Sequence, residues 1–141
     1  MLFRLTGRVR VLKHVAAHDV GRAINPAGVE AQIEGGVVQG LGATLHEEML
    51  VRDGVVTNPT LAEYRLPTTL DVPEIVPVIV EDPHGEGPYG AKGLGEPVLA
   101  ASSPAIANAI FAAAGIRLTD LPITPERVFR ALRDAGRREA R

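Results

Sequence analysis

The glycine-rich segment 82–96 carries the residue best suited to acid–base chemistry in this 141-residue chain. Its last residue, Glu96, stands between Gly95 and Pro97 and is followed by apolar residues. A carboxylate held at a rigid, poorly solvated position can serve as a general base. A glutamate at the start of a helix also interacts favourably with the helix dipole. The position of Glu96 alone is therefore compatible with a catalytic role and with a structural one.

The same segment resembles a phosphate-binding loop only in general terms. Bare backbone N–H groups can converge on an anion, and glycines occupy positions 85, 87, 90, 93 and 95. A P-loop requires Gly-Lys followed by Ser or Thr, whereas Gly90 is followed by Ala91 and Lys92. The spacing G-x-x-G-x-G also reverses the dinucleotide fingerprint. A small nucleotide-binding protein is therefore the disfavoured alternative.

A second segment, 26–49, combines a helical apolar pattern with residues that disfavour helices. Every fourth residue is apolar: Val29, Ile33, Val37, Leu41, Leu45 and Met49. This stripe predicts a long helix that ends near Met49. Four glycines inside it, at 35, 36, 40 and 42, would each cost about 1 kcal/mol relative to alanine.

One side of this predicted helix is made of small residues and two carboxamides. Its members are Gln32, Gly36, Gln39 and Ala43, spaced three or four residues apart. Two interpretations remain open. Another helix packs closely on the glycine face, or a polar ligand lies against it and is bonded by the carboxamides.

Further elements must position these two segments. Residues 8–18 alternate as a strand does, with Val9, Val11 and Val15 on one face. Residues 75–80 form a short strand, in which Pro77 favours an edge position.

Turn and cap residues complete the outline. The sequence 52–54, Arg-Asp-Gly, predicts a turn. Asn25-Pro26, Ser103-Pro104 and Thr124-Pro125 mark the starts of three helices, and Gly115 ends the second of them. Strands and helices are mixed, with too few strands for a doubly wound sheet. The predicted fold class is α+β.

Composition excludes several classes of function. The formal net charge is −2, which disfavours sequence-independent nucleic-acid binding. No continuous apolar run approaches the roughly 18 residues of a membrane span, and the first residues lack the features of a signal peptide, so the expected compartment is the cytoplasm. The chain has no cysteine, which excludes zinc–thiolate sites and Cys-ligated iron–sulfur clusters within it. The four histidines form no metal-binding motif, and the arginines at 130, 133, 137, 138 and 141 are typical of a solvated helix end.

Three segments together resemble the molybdenum-binding large subunit of the xanthine dehydrogenase and aldehyde oxidase family, which includes aerobic carbon monoxide dehydrogenases. They are DVGRAINPAGVEAQIEGGVVQGLG, EYRLPTTLDVPEI and YGAKGLGEPVLAASSPAIANAI. The similarity is to the C-terminal part of that subunit and runs from about residue 8 to residue 132 in collinear order. It implies a single C-terminal molybdopterin-binding subdomain over 1–141, with a non-matching start at 1–7 and a basic tail at 133–141.

The resemblance also assigns roles to residues. It implies that Glu96 is the catalytic base beside molybdenum and that Gln32 lies near the metal and its pterin. The backbone of the segment 92–95, which comprises Lys92, Gly93, Leu94 and Gly95, would lie against molybdenum–molybdopterin, and no residue of this chain would ligate the metal. Close approach of a flat cofactor would then account for the glycines of the helix and of the loop.

The activity implied by the resemblance is hydroxylation of an electron-poor carbon of a small molecule, an aldehyde or an N-heterocycle, with water as the oxygen source. Iron–sulfur and FAD centres are expected only in partner chains. The expected partners are the N-terminal portion of the molybdenum-binding subunit, an iron–sulfur subunit and an FAD subunit.

Because the family's subunit is much longer, the chain is expected to be either a separately encoded C-terminal portion or the remnant of a broken gene. The isolated chain is expected to be inactive and to self-associate, either as a homodimer or as an aggregate. The alternative is a non-catalytic fragment that retains the fold as an assembly or interaction module.

Overall fold

A computed structural model of the chain describes residues 1–82, 84 and 86–139, with side chains through residue 136. Gly85 of the predicted loop, Arg141 and the side chains of Arg137 and Arg138 lie outside this description. The strands are β1 (Leu2–Phe3), β2 (Arg8–Val9), β3 (Lys13–Asp19), β4 (Val51–Arg52), β5 (Val55–Val56) and β6 (Glu74–Val80). The helices are α1 (Pro26–Leu45), α2 (Pro97–Ala100), α3 (Ser102–Ala114) and α4 (Pro125–Glu139), with a 3-10 turn at Pro88–Gly90. Strands and helices are mixed, and the α+β prediction is confirmed.

The longest strands, β3 and β6, form a two-stranded parallel sheet. The α1 helix lies in the connection between them, as a parallel pair requires. One face of the sheet packs on α1 in a cluster of buried residues that comprises Ala16, Ile33, Val37 and Val98. Ile75 and Ile79 of β6 pack against the same cluster.

The predicted strand 8–18 is divided, and the three valines expected on one face do not share it. Val9 ends β2 and packs against a different cluster, while β3 begins at Lys13. In β3 the inward positions are His14, Ala16 and His18, whereas Val15 is 58% exposed. Because side chains alternate strictly along a strand, the interruption between the two strands breaks the common face expected for the valines. Burial, and then His18, lower the pKa of His14 below its usual 6.5.

A second buried cluster joins the end of α1 to α3 and α4. Its members are Leu41, Leu45, Ile106, Ile110, Ile116, Ile123 and Val128. Leu2 of β1 packs against it, and β1 pairs with β2 in antiparallel register. Residues 1–7, which the resemblance leaves as a non-matching start, are therefore integrated into the fold.

The predicted starts of α1 and α4 and the end of α3 are confirmed, whereas the start of α3 and the end of α1 differ from the prediction. Ser103-Pro104 was expected to cap α3 but lies inside it, because the helix begins at Ser102 with no side-chain cap at Ala101. The Asn25 side chain accepts a hydrogen bond from the Gly28 N–H, with Pro26 at the first helical position. Gly115 ends α3 in the left-handed conformation with φ of 70°. The α1 helix ends at Leu45 rather than near Met49, which is 64% exposed.

The early end of α1 has a local cause in the segment that follows it. The N–H groups of His46 and Glu47 both donate to the Gly42 carbonyl. The Asn58 side chain then accepts from Leu50 N–H and donates to the Glu48 carbonyl. These bonds replace the next helical turn.

The 18-residue window Pro97–Ala114 has a mean hydropathy of 1.4, which is enough for a membrane span by length and composition. It is divided at Ala101 between α2 and α3. Its buried residues, Val98, Ser102, Ile106 and Ile110, include members of both buried clusters.

Two of the α1 glycines are explained by close helix packing. A Cβ at position 36 would lie 2.6 Å from the Val98 Cβ, and a Cβ at position 40 would collide with the Ser102 Cβ. A Cβ at position 42 would collide with the side chains of Glu47 and Pro67. The expectation that a cofactor accounts for the helix glycines is therefore wrong at these three positions, where the chain packs on itself.

Alanine substitution should separate packed from open glycines. We expect Gly36→Ala and Gly40→Ala to lower the free energy of unfolding by about 1–3 kcal/mol, because the added methyl overpacks the contact with α2 and α3. The matched control is Gly35→Ala, where a Cβ would meet no atom within 4 Å and the helix should gain about 1 kcal/mol. Thermal unfolding followed by circular dichroism measures all three. Equal behaviour at positions 35 and 36 would contradict the packing argument.

Candidate functional site

The two chemistry-bearing segments meet along an open groove of about 810 Å³. One wall is α1 and the other is the chain at 95–100. The residues that line it are Gln32, Gly35, Gly36, Gln39, Gly95, Glu96, Leu99 and Ala100. The fold therefore brings predicted site residues that are 64 positions apart, Gln32 and Glu96, to one surface.

Glu96 lies at the N-terminal end of α2 and lines the groove. Its side chain makes no capping hydrogen bond to the helix, and its backbone carbonyl accepts from Leu99 N–H. The helix has only four residues, so the dipole interpretation has little support. The residue is exposed, so the poorly solvated environment expected from the sequence is not supplied by this chain. The carboxylate is open to any group that enters the groove.

The carboxamides of α1 stand opposite this carboxylate on the helix wall. Gln32 and Gln39 are both exposed, two turns of helix apart, with Gly35 and Gly36 between them. Gln32 also lines a neighbouring groove of about 350 Å³. A carboxamide offers both a donor and an acceptor, so the pair can bind a polar ligand laid along the helix.

Lys92 is directed away from the 810 Å³ groove. Its ammonium forms an ion pair with Asp19 at the end of β3. Lys92 lines the smaller groove of about 350 Å³ instead. The hydrogen bond from Lys92, followed by the one from the Gly21 N–H, lowers the pKa of Asp19. The same bond raises the pKa of Lys92. The side chain of Lys92 thus anchors the loop, and only its backbone is available for a cofactor contact.

The loop is held to the sheet by its backbone as well. Lys92 N–H donates to the Val20 carbonyl at 2.9 Å, and Arg22 N–H donates to the Gly90 carbonyl at 2.8 Å. Two residues later, Leu94 packs against the buried cluster beneath the sheet. These anchors fix the path of the segment 92–96 while leaving Gly93, Gly95 and Glu96 exposed.

Three glycines at or beside the groove have no explanation within the chain. A Cβ built at position 35, 93 or 95 would meet no atom within 4 Å, and none of the three has a positive φ. Alanine would therefore fit each position in the chain as described. Gly35 and Gly95 line the groove on opposite walls. This pattern fits a flat ligand that approaches the backbone closely from outside.

Gly35 was not among the predicted site residues, although the sequence holds a signal for it. Gly35 and Gly36 are adjacent in α1 and point about 100° apart. Only Gly36 packs on α2, so a consecutive pair of helical glycines indicates a second close approach from a different direction.

Among the described residues, no group of three or more His, Cys, Asp or Glu side chains could hold a metal ion. His14 and His18 share the inward face of β3. His46 lines a separate cavity of about 610 Å³ at the far end of α1, beside Arg8 and Asp71.

Comparison with known protein families gives a match over half the chain. A profile described as the molybdopterin cofactor-binding domain matches residues 2–73. A relative in Escherichia coli, a putative xanthine dehydrogenase molybdenum-binding subunit, is 37% identical over 131 residues, which are 92% of this chain and 17% of that relative. A nicotinate dehydrogenase subunit from Pseudomonas putida is 40% identical over 133 residues, covering 94% of this chain and 11% of that relative.

Solved structures show the same likeness in three dimensions. Quinoline 2-oxidoreductase from Pseudomonas putida matches with a TM-score of 0.82 and 40% identity, over 89% of this chain and 16% of that one. Aldehyde oxidoreductase from Desulfovibrio gigas matches with a TM-score of 0.85 and 34% identity, over 94% of this chain and 14% of that one. The chain therefore spans between about one ninth and one sixth of the length of these proteins.

Removing the Lys92 ammonium should change the pKa of the Asp19 carboxyl. We expect Lys92→Met to raise the pKa of the Asp19 carboxyl toward its usual 3.8, because the largest cause of its lowering is lost. The control is Lys13→Met, which removes the ion pair with Glu74 at the other end of the strand pair and should leave Asp19 unchanged. Side-chain carboxyl titration by NMR measures both. An unchanged Asp19 pKa in Lys92→Met would show that the loop anchor is not formed.

Proposed function

The chain belongs to the molybdopterin cofactor-binding domain family, and we propose that it forms one wall of the molybdopterin site of a molybdenum hydroxylase and supplies its catalytic base. The relatives and structural neighbours it resembles include oxidoreductases named for xanthine, nicotinate, quinoline and aldehyde. The chain matches only a small part of each, so the complete activity requires the rest of the molybdenum-binding subunit.

The observation that carries the proposal is the set of open glycines around the groove. Gly35, Gly93 and Gly95 face space that no described residue of the chain fills, next to exposed carboxamides and an exposed carboxylate. Glycine in a helix interior costs about 1 kcal/mol relative to alanine. A cofactor pressed against the backbone explains why Gly35 carries this cost.

The residues present fit the pterin portion of molybdopterin. Gln32 and Gln39 can bond its polar edge, and the exposed backbone at Gly93 and Gly95 can approach its flat face. The bound cofactor supplies the two-electron redox chemistry and the Lewis acidity of the reaction. The chain supplies orientation and proton transfer.

Glu96 is proposed to act as the general base. Hydroxylation of a C–H bond by water releases two electrons and two protons, and one proton must leave from the attacking water-derived oxygen. The Glu96 carboxylate lies in the groove without a capping hydrogen bond, so it is available to take that proton. Enclosure by the remaining portion of the enzyme would provide the desolvation that this chain lacks.

The proposed substrate is a small aldehyde or N-heterocycle with an electron-poor carbon. The electrons leave through iron–sulfur and FAD centres of partner chains, because this chain has no cysteine to ligate a cluster. We further propose that the complex works in the cytoplasm. The 141-residue chain alone would hold no molybdenum, because a cofactor bound by contacts from all sides is not retained by one wall.

Replacing the proposed base tests the catalytic role. We expect Glu96→Gln in the assembled enzyme to lose at least about 100-fold in turnover, because an amide cannot accept the proton, while molybdenum content stays unchanged. The control is Glu34→Gln, an exposed α1 carboxylate outside the groove, with normal turnover. Normal turnover in Glu96→Gln would contradict the role and favour the non-catalytic module.

Filling an open glycine tests the cofactor wall without measuring activity. We expect Gly95→Ala to lower the molybdenum and pterin content of the purified enzyme severalfold, because the methyl occupies the space of the cofactor. Gly136→Ala is the matched control, since a Cβ there also meets no atom within 4 Å but lies in α4, away from the groove. Full cofactor content in Gly95→Ala would show that the cofactor does not occupy the space beside Gly95 and would contradict the proposal.

A further inference from the structure

The parallel sheet is covered on one face only. The face opposite α1 carries Val15 and Ala17 of β3 and Val76, Val78 and Val80 of β6, which we call the valine face. Val15, Val78 and Val80 are exposed. Parallel sheets occur almost only with both faces covered, and two strands are fewer than stable sheets usually have. The sheet is therefore incomplete in the described chain.

The hydrogen-bond directions show that β3 has a free outer edge. Glu74 N–H donates to the Leu12 carbonyl, and Val20 N–H donates to the Val80 carbonyl. With the observed parallel register, the even-numbered residues of β3 bond to β6, and the odd-numbered residues direct N–H and C=O outward. Within the described residues, the backbone groups of Val15 and Ala17 bond to no other segment.

The outer edge of β6 is less suited to pairing. By the same register, the residues of β6 that point outward are Ile75, Pro77 and Ile79. Pro77 has no N–H, so a strand added there would lose a hydrogen bond in the middle of its ladder. Residues 13–19 of β3 contain no proline. A further strand can therefore pair fully only with β3.

The space beside the β3 edge is already shaped for such a strand. A groove of about 300 Å³ runs between residues 9–15 and α3. Its far side is formed by small apolar residues of α3: Ala105, Ala109 and Ala113. These alanines are exposed. A strand added next to β3 would cover them, in the same way that β3 and β6 pack on α1.

We propose that an extended segment from the rest of the molybdenum-binding subunit adds to the outer edge of β3 as a third strand, over α3. This inference rests on the proposed function for the identity of the partner. The length of the related subunits supports this occupant, because the chain matches only 17% of the Escherichia coli relative and the rest of such a subunit can supply the segment. The added segment presents apolar side chains toward the alanines of α3 and pairs by main-chain hydrogen bonds.

Residue-resolved amide hydrogen exchange tests the added strand. The sample is the chain assembled with the remaining portion of the subunit, by co-expression or as one polypeptide. We expect the outward amides of Val15 and Ala17 to be as protected as the inward amides of Ala16 and His18, and about tenfold or more slower than in the 141-residue chain alone. Fast exchange at the odd-numbered positions beside slow exchange at the even-numbered ones in the assembled sample would overturn the proposal.

The same measurement distinguishes a second copy of this chain from the proposed occupant. Protection of Val15 and Ala17 in the chain alone, rising with its concentration, would assign the edge to self-association and overturn the proposal. Molybdenum content is measured on the assembled sample separately. Full molybdenum without protection rejects only the added strand, whereas protection without molybdenum rejects only the proposed function.

A charge in the groove provides a variant test. We expect Ala109→Glu to reduce assembly with the remaining portion severalfold, because the charge would be buried under the added strand. Ala112→Glu is the matched control, an exposed α3 alanine outside the groove, and should assemble normally. Equal assembly of the two variants, with circular dichroism showing that both are folded, would contradict the proposed position of the strand.

Discussion

The contact between α1 and the α2–α3 segment is the constraint on which the rest of the molecule depends. Gly36 lies against Val98, and Gly40 lies against Ser102, so the backbones approach more closely than residues with a Cβ would permit. This approach brings Glu96, two residues before Val98, to the same groove as Gln32 and Gln39. The buried hydroxyl of Thr44 supports the same interface, bonded to the Gly40 carbonyl at 2.5 Å and to the Ser103 hydroxyl at 2.7 Å. A packing requirement thus sets the geometry of the candidate site.

The loop that follows β6 is fixed at its two ends and open in the middle. One end is tied to β3 by the Lys92–Asp19 ion pair and by the bond to the Val20 carbonyl. The other end is held by Leu94 and Val98 in the buried cluster. Between these anchors the backbone at Gly93 and Gly95 is exposed but cannot move far. Such preorganisation is what a backbone surface needs in order to hold a flat cofactor.

The described part of the chain combines two buried cores with an uncovered sheet face and an unpaired strand edge. Two clusters of aliphatic residues are buried, while a parallel sheet presents a valine face and a free edge. The chain also aligns with about one sixth of the length of its relatives. These facts agree with a fold that is completed by further polypeptide, since a two-stranded parallel sheet gains most of its stability from cover on both faces.

Local signals in the sequence determined the helix starts at Asn25-Pro26 and Thr124-Pro125, the end of α3 at Gly115 and the mixed fold class, because caps and turn glycines act within a few residues. The family resemblance predicted a common site for Gln32 and Glu96, and both line the same groove. The buried face of β3, the early end of α1 and the anchoring role of Lys92 were decided only by the tertiary structure. The same holds for the α1 glycines, of which Gly36 packs on Val98 and Gly35 faces open space. These outcomes depend on contacts between residues that are often far apart in the chain. A local sequence pattern does not specify which distant residue will pack against a given position.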